Sequence, residues 1–496
     1  MRRLITIAVV LALFGAACSF LLDHDKTQCA SDSDCAHFGG HPYCVSGTCV
    51  ESGLGPSDCF QGDPMGSSDF ANQCSVATCG DFDNCMRIGL CGSDTSVPAT
   101  VAPPDAAPGS TVDAPTPPAM PPCVDPTSRN TVVLSGSTEA QPFLSVIAPL
   151  LAAESPPYQI AYQPSGSCTG VDQMMDPNPL KRIVKDIVGK QALLFNTDGT
   201  SQSCTFGSGV SLDVAVSDVY STTCNSTFSI GSAYADYDGP IEVMTMVVPS
   251  SSDQTTISAE MAHVVFGAGN SYNNAAPWTD PALYFVRNSS SGTQNEISRA
   301  INVNAGQWWG IDRGGTSAIV SEMEAVSPAQ AEQAIGIIGT DYADPERSRL
   351  RILAFKNTDQ ECAYYPDSTL FTKDKQNVRD GHYAIWGPMH FIANVTSGQP
   401  SSAAGALITK FTLTRPDPSM LNAITQIGFV PDCAMTVSRS AEMGPLSVYS
   451  PPYQCGCYFE ANVPGGAAGS DCIACSGPSD CPAAKPACNN GYCELQ

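Results

Sequence analysis

Basic residues are scarce in this chain: 23 lysines and arginines stand against 48 aspartates and glutamates, a formal net charge of -25 over 496 residues. Binding to a phosphate backbone relies on clustered positive charge, so nucleic acid is excluded as a partner class. Histidine is scarcer still. The six (24, 37, 41, 263, 382 and 390) form neither HExxH nor any other metal-ligand spacing. The GxSxG elbow of serine hydrolases and the Walker A loop are missing as well. The expectation is therefore a noncatalytic protein with no cofactor, in which the aromatics of YAIWGPM (383–389), flanked by His382 and His390, pack a core or a binding surface. Long apolar runs are absent beyond the N-terminus, which excludes a later bilayer-spanning helix.

What is there begins with MRRLITIAVVLALFGAACSF. Arg2 and Arg3 precede an apolar run from Leu4 to Phe14 that is short for a membrane span, and small residues follow, so 1–17 reads as a secretory signal. GAAC (15–18) resembles a bacterial lipobox, with Gly15 where leucine is usual. On that reading Cys18 is lipidated and anchors the chain to a membrane of the bacterial cell envelope, facing the periplasm or lying at the outer-membrane surface. The alternative is a soluble secreted protein cut after Ala17, with Cys18 an ordinary half-cystine.

Cysteine is plentiful: of 23, setting Cys18 aside leaves an even 22, as disulfides in an oxidising compartment require. Composition divides the chain into a cysteine-rich region (18–91), a linker rich in Pro, Ala and Thr (92–125), a central domain (126–445) and a cysteine-rich tail (446–496). CASDSDCAHFGGHPYCVSGTC (29–49) and CSGPSDCPAAKPACNNGYC (475–493) share Cys-x5-Cys-x6–8-Cys-x4-Cys, an internal repeat of a small disulfide module. Zinc is the rival reading, but the repeat lacks paired CxxC, and the lone CxxC (Cys472, Cys475) has no matching pair. Cys59, Cys74, Cys79, Cys85, Cys91 and Cys123 suggest another module, whose pairing sequence does not give.

The central domain alternates strands with helices, the signature of α/β structure with mainly parallel sheets. Apolar strand candidates are TVVLSG (131–136), YQIAYQ (158–163), DVAVS (213–217), EVMTMVVPS (242–250) and AIGIIGTDYA (334–343). Helical spacing follows the first through Phe143, Ile147, Leu150 and Leu151, and a helix is expected from about Ile257 to Phe266. Several strands end in hydroxyl-rich turns: Ser137-Thr138, Ser167, Ser217-Asp218, and Arg287 with Ser291-Gly292-Thr293. In VRNSSSGTQNE (286–296), Ile297, Ala300 and Ile301 continue at helical spacing, placing Ser291 at an N-cap. Hydroxyls, a glycine for close approach, bare first-turn amides and an arginine make a small-anion site. The bland alternative is a serine cap beside a solvated arginine.

In order and spacing these turns resemble the ligand-contacting turns of the periplasmic phosphate-binding proteins, the substrate receptors of phosphate ABC transporters. LSGSTEAQPF, YQPSGSCTGV, DVAVSDVY and FVRNSSSGT carry the resemblance over about 130–395, and APWTDPA (276–282) is similar to that family's tryptophan segment. The resemblance implies a two-lobed periplasmic-binding-protein fold hinged at crossing strands, EVMTMVVP and AIGIIGT. Lobe 1 would span about 126–241 and 341–445, and lobe 2 about 250–333. It also implies a phosphate site of Ser137, Thr138, Ser167, Asp218, Arg287, Ser291, Gly292 and Thr293, in a monomer serving an ABC permease. Asp218 would accept the proton that phosphate carries and sulfate lacks. Where the family often has an aspartate after the arginine, this chain has Asn288, Ser289 and Ser290. Cys168 stands where a small hydroxyl residue is frequent, and a disulfide to Cys204 or Cys224 would stiffen the cleft or block it. The rival to a receptor is a surface interaction protein that keeps the fold without the ligand.

Overall fold

The computed structural model describes residues 130–495 apart from 272–274, 359 and 470. It also describes 59–60, 62–75, 77, 79–80, 88, 90, 99–101, 103 and 120–124, with the backbone of two short strands, 43–45 and 48–50. The signal segment, the lipidation candidate Cys18 and histidines 24, 37 and 41 lie outside the described residues.

The expected α/β alternation is present. β1 (Thr131–Gly136) leads to α1 (Ala140–Ala152), then β2 (Gln159–Gln163) and α2 (Ser167–Met174). The strands β3 (Ala192–Phe195), β4 (Ser201–Cys204) and β5 (Val214–Ser217) precede a long strand, β6 (Tyr234–Pro249). There follow α3 (Ala259–Ala268), β7 (Tyr284–Val286), α4 (Gly292–Ile301), β8 (Ile311–Asp312), α5 (Thr316–Glu324) and β9 (Ile335–Gly339). After β10 (Leu350–Ile352), β11 (Trp386–Thr396) returns beside β6. α1 forms where the sequence puts apolar residues on one stripe: Phe143, Leu144, Ile147 and Leu151 are fully buried against β1, β2 and β11. Each such burial is worth about 1.5–3 kcal/mol.

One sheet runs β8-β7-β9-β6-β11-β5-β1-β2-β3-β4. It is mixed, where a mainly parallel sheet was expected. β5, β1 and β2 are parallel, as are β8, β7 and β9, but β3, β4, β6 and β11 enter antiparallel. Strand β6 explains the two lobes. Its first part, Tyr234 to Val243, pairs with β11, and its second, Met244 to Val247, pairs with β9. A single strand thus serves both halves of the sheet, and the expected crossings at 242–249 and 334–340 are neighbours in register. Residues 350–364, expected with the first lobe, belong with the second. Leu350 to Ile352 pair with β6 beyond the crossing, Ala354 to Lys356 run parallel to Thr256–Ser258, and Ile352 and Tyr365 pack with Phe285 and Ile319.

Lys375 holds that return segment in place. Its side chain is fully buried, with Nζ 2.7 Å from Asp344 and 2.9 Å from Asp367, and Arg347 joins the same two carboxylates. Breaking a buried ionic network by deleting one member leaves uncompensated charge. Lys375→Met should therefore lower stability by about 3 kcal/mol in denaturant titration; a change under about 0.5 kcal/mol would mean that water reaches the cluster.

Disulfides tie the cysteine-rich pieces to this body. In the tail repeat, Cys475 pairs with Cys488 and Cys481 with Cys493, on a hairpin in which Cys488 faces Cys493. The first repeat has the same hairpin, with Cys44 opposite Cys49. The lone CxxC is not a metal clasp, since Cys472 bonds Cys457. Cys59 bonds Cys74, Cys123 bonds Cys204, Cys433 bonds Cys455, and Cys79 reaches Cys362 across 283 positions. After cleavage at a protease site inserted between 104 and 119, the N-terminal piece should stay with the body on a non-reducing gel. It should separate on reduction, and Cys79→Ser should release it without reductant. No described helix is long and apolar enough to cross a membrane.

Candidate functional site

The eight candidate residues come from four strand-to-helix turns, all buried, and the fold brings these turns to one place between the lobes. Gly136 ends β1 at φ +150, where a Cβ would overlap the Val216 carbonyl, so the next residues turn sharply over the end of β5. Ser137 N donates to Val216 O (2.9 Å). Across this gap, Ser167 Oγ donates to Asp218 Oδ2 (3.1 Å) and also accepts from Asp218 N (3.3 Å). The Ser137 hydroxyl accepts from Glu139 N (3.0 Å).

The second lobe meets this set at the start of α4. Ser291 is the N-cap, as its spacing predicts, and Gln294 N donates to its hydroxyl. The first-turn amides of Gly292 and Thr293 have no acceptor within the helix. A Cβ on Gly292 would overlap the Asp218 carboxylate and the Ser167 hydroxyl, so only glycine lets the two lobes approach this closely. The main chains also meet directly, with Cys168 N donating to Ser290 O (3.0 Å). Cys168 is bonded to Cys224, which fixes the start of α2 to the segment after β5 within the first lobe.

Arg287, 3 % exposed, extends from the end of β7. Its Nη1 donates to Thr316 Oγ1 (3.1 Å), and its Nη2 to Gly314 O (3.4 Å). Its backbone N donates to Gln294 Oε1 (2.8 Å). Thr138 Oγ1 lies 3.5 Å from Thr316 Oγ1, so α5 supplies a hydroxyl that the sequence reading did not include.

The residue at the middle of these donors was also missed. Glu139, fully buried just before α1, accepts from Thr293 Oγ1 (3.2 Å) and from Thr316 Oγ1 on its Oε1, with Arg287 Nη1 at 4.0 Å. It provides from the opposite lobe the acidic neighbour that Asn288, Ser289 and Ser290 do not give Arg287. Its other oxygen, Oε2, meets no donor and faces Gly339 at the end of β9. Beyond it lie Glu242 on β6 and Asp341 after β9.

Electrostatics here is dominated by burial of acids. The Glu139 carboxyl is pushed up to about 7 by burial and then by Asp218, against the pull of Thr316, Arg287 and Thr293. Burial also raises Asp218, despite Ser137 and Ser167. Glu242 and Asp341 are raised well above the carboxylate range, by burial first and then by neighbouring acids. Lys190 adds a second cation further out; its Nζ donates to Ser165 O (2.6 Å), and burial with the Arg287 charge lowers its pKa. The two histidines around YAIWGPM are core groups: His382 lies between Asp380 and Gln73 O, and His390 against Asp236.

No family model matches the chain, and no curated protein matches it. Among solved structures, the chain is similar to a phosphate ABC transporter substrate-binding protein with bound phosphate from Clostridium perfringens. That match has 12 % identity and a TM-score of 0.41, over 61 % of this chain and 99 % of that one. An ABC-type phosphate transport receptor from Vibrio cholerae matches at 14 % identity and a TM-score of 0.39, over 60 % and 99 %. A phosphate-binding protein from Stenotrophomonas maltophilia matches at 15 % and 0.34, over 61 % and 90 %.

Proposed function

We propose that this chain is an exported, lipid-anchored binding protein that holds a small oxyanion, phosphate first among candidates, between its two lobes. One observation carries the reading: the Thr293 and Thr316 hydroxyls and the Arg287 guanidinium already gather around one anionic oxygen, Glu139 Oε1. A seat that accepts a carboxylate oxygen offers the donors that a phosphoryl oxygen needs. Asp218, with Oδ1 free of donors, supplies the acceptor for a phosphate proton and repels an anion that has none. An ABC permease is the onward partner that this reading implies, and the chain acts as a monomer.

The same glutamate favours a second reading, a surface interaction protein with a cleft closed by its own carboxylate. In that case Glu139 stands permanently where a ligand would. Calorimetric titration of phosphate-stripped protein with phosphate and then sulfate separates the two. The receptor reading expects phosphate heat with sulfate silent, and a sulfate response gained in Asp218→Asn. Silence to both anions in the wild type and in Glu139→Ala leaves the interaction protein.

A further inference from the structure

The carboxylates behind Glu139 present a problem that the oxyanion reading does not solve. Glu139, Glu242 and Asp341 each bring a carboxylate oxygen to within 4.8 Å of the other two, and all three residues are buried. They come from three places in the fold: the end of the β1 turn, the crossing on β6 and the turn after β9. Asp218 lies close enough to add its charge to Glu139 and Glu242. The cation set against them is Arg287, 4.0 Å from Glu139. Four buried acids against one guanidinium call for protons or a metal ion.

Glu242 distinguishes the alternatives. It is 1 % exposed, and neither of its oxygens meets an N–H or O–H donor. The charge that acts on it most strongly is that of another acid, Asp218, followed by Glu139, so among the described residues nothing on this side of the cluster neutralises it. Glu139 Oε2 is also without a donor, while Oε1 is fixed on the opposite side by Thr293 and Thr316. A carboxylate held by one oxygen and bare at the other is oriented as a ligand is in a built site. Asp341, with both oxygens buried and without a donor, lies in the wall of a groove of about 700 Å³ that Pro142, Ser317 and Tyr342 also line.

We propose that Glu139, Glu242 and Asp341 form a binding site for a hard divalent cation of the Ca²⁺, Mg²⁺ or Mn²⁺ class. Oxygen-only, carboxylate ligation suits these ions and not the thiolate- or imidazole-preferring metals. The cation would replace protons on the cluster and place positive charge directly behind the oxyanion seat. The site stands without the oxyanion reading, since its ligands face one another whether or not an anion occupies the clamp.

The test is calorimetric titration of chelator-treated full-length protein with CaCl₂, MnCl₂ and MgCl₂ in phosphate-free buffer, followed by thermal melts. One saturable event per chain and a raised Tm are expected with at least one ion. Glu242→Gln/Asp341→Asn should weaken that event by at least about tenfold, whereas Asp236→Asn/Asp238→Asn, at the separate acidic group beside His390, should leave it unchanged. The neutral amides remove repulsion, so the double variant should fold; if it does not, Glu242→Gln alone carries the same expectation. No saturable binding of any of the three ions at millimolar concentration overturns the proposal. So does a site that survives both Glu242 variants. Phosphate binding that persists under either outcome leaves the oxyanion reading standing by itself.

Discussion

Glu139→Ala should bind phosphate at least about tenfold more tightly than the wild type, and Arg287→Ala should abolish binding in either background. The first effect follows from competition. On the oxyanion reading, a phosphate oxygen entering the seat would have to displace Glu139 Oε1 from the Thr293 and Thr316 hydroxyls, and the displaced carboxylate would stay nearby to repel it. Removing the side chain removes both penalties, and one charge-assisted hydrogen bond is itself worth about 1.5–3 kcal/mol. The second effect follows from position. Arg287 is buried, held by Thr316 and Gly314, and close to Glu139, so on the oxyanion reading it is the charge that would admit an anion to a cleft containing Asp218. Glu139→Gln is the control: it keeps the shape, loses the charge and should fall between wild type and alanine. If Glu139→Ala gives no heat with phosphate, the oxyanion reading fails and the glutamate is a structural plug.

The residues that were legible and those that were missed differ in what makes them informative. Ser291, Gly292 and Thr293 announce themselves locally, because an N-cap, a glycine and a hydroxyl followed by apolar helical spacing have one economical structural reading. The strands at 131–136, 214–217, 242–249 and 335–339 were legible for the same reason, as short apolar runs ended by turn residues. Glu139 sits inside the same quoted motif but resembles an ordinary acid at a helix start, where the dipole favours it. Only the approach of α4 and α5 from the other lobe gives it its partners, Thr293 and Thr316. Glu242 did carry a signal, an acid opening the apolar run EVMTMVVP in a strand buried on both faces. Asp341 follows IGIIGT in the same manner, yet their meeting depends on the antiparallel register of β6 with β9, which no local pattern states. The disulfides show that limit most plainly: Cys79 and Cys362 are 283 positions apart, and nothing near either one names its partner.

Thermal stability should fall as pH rises from the mildly acid range into the alkaline, the reverse of ordinary acid denaturation. Glu296, fully buried on α4, has no donor at either oxygen, and burial, with Glu442 second, holds its carboxyl well above the usual range against Arg439. Its folded pKa is raised, so its contribution is complete below the unfolded value near about pH 4.3. That contribution is lost as pH climbs towards the folded one, because the unfolded chain sheds the proton first. His390 acts in the same direction in a higher window. Burial opposes its charge, but the Asp236 hydrogen bond and the nearby acids prevail and raise its pKa. Its contribution is therefore present below about pH 6.5 and lost above, as pH passes the folded value. Asp344 works oppositely: despite its burial, Lys375 and Arg347 hold its carboxyl low, and its contribution is lost only in stronger acid. Melts in chelator-containing buffer from about pH 5 to about pH 9 should give a falling Tm across this range. Glu296→Gln should flatten the fall and raise the alkaline Tm, by roughly 1–2 °C for each kcal/mol of stability that the neutral amide restores. A Tm that rises with pH, or a Glu296→Gln variant that melts lower than wild type in alkali, would mean that Glu296 is ionised in the fold and paired with Arg439.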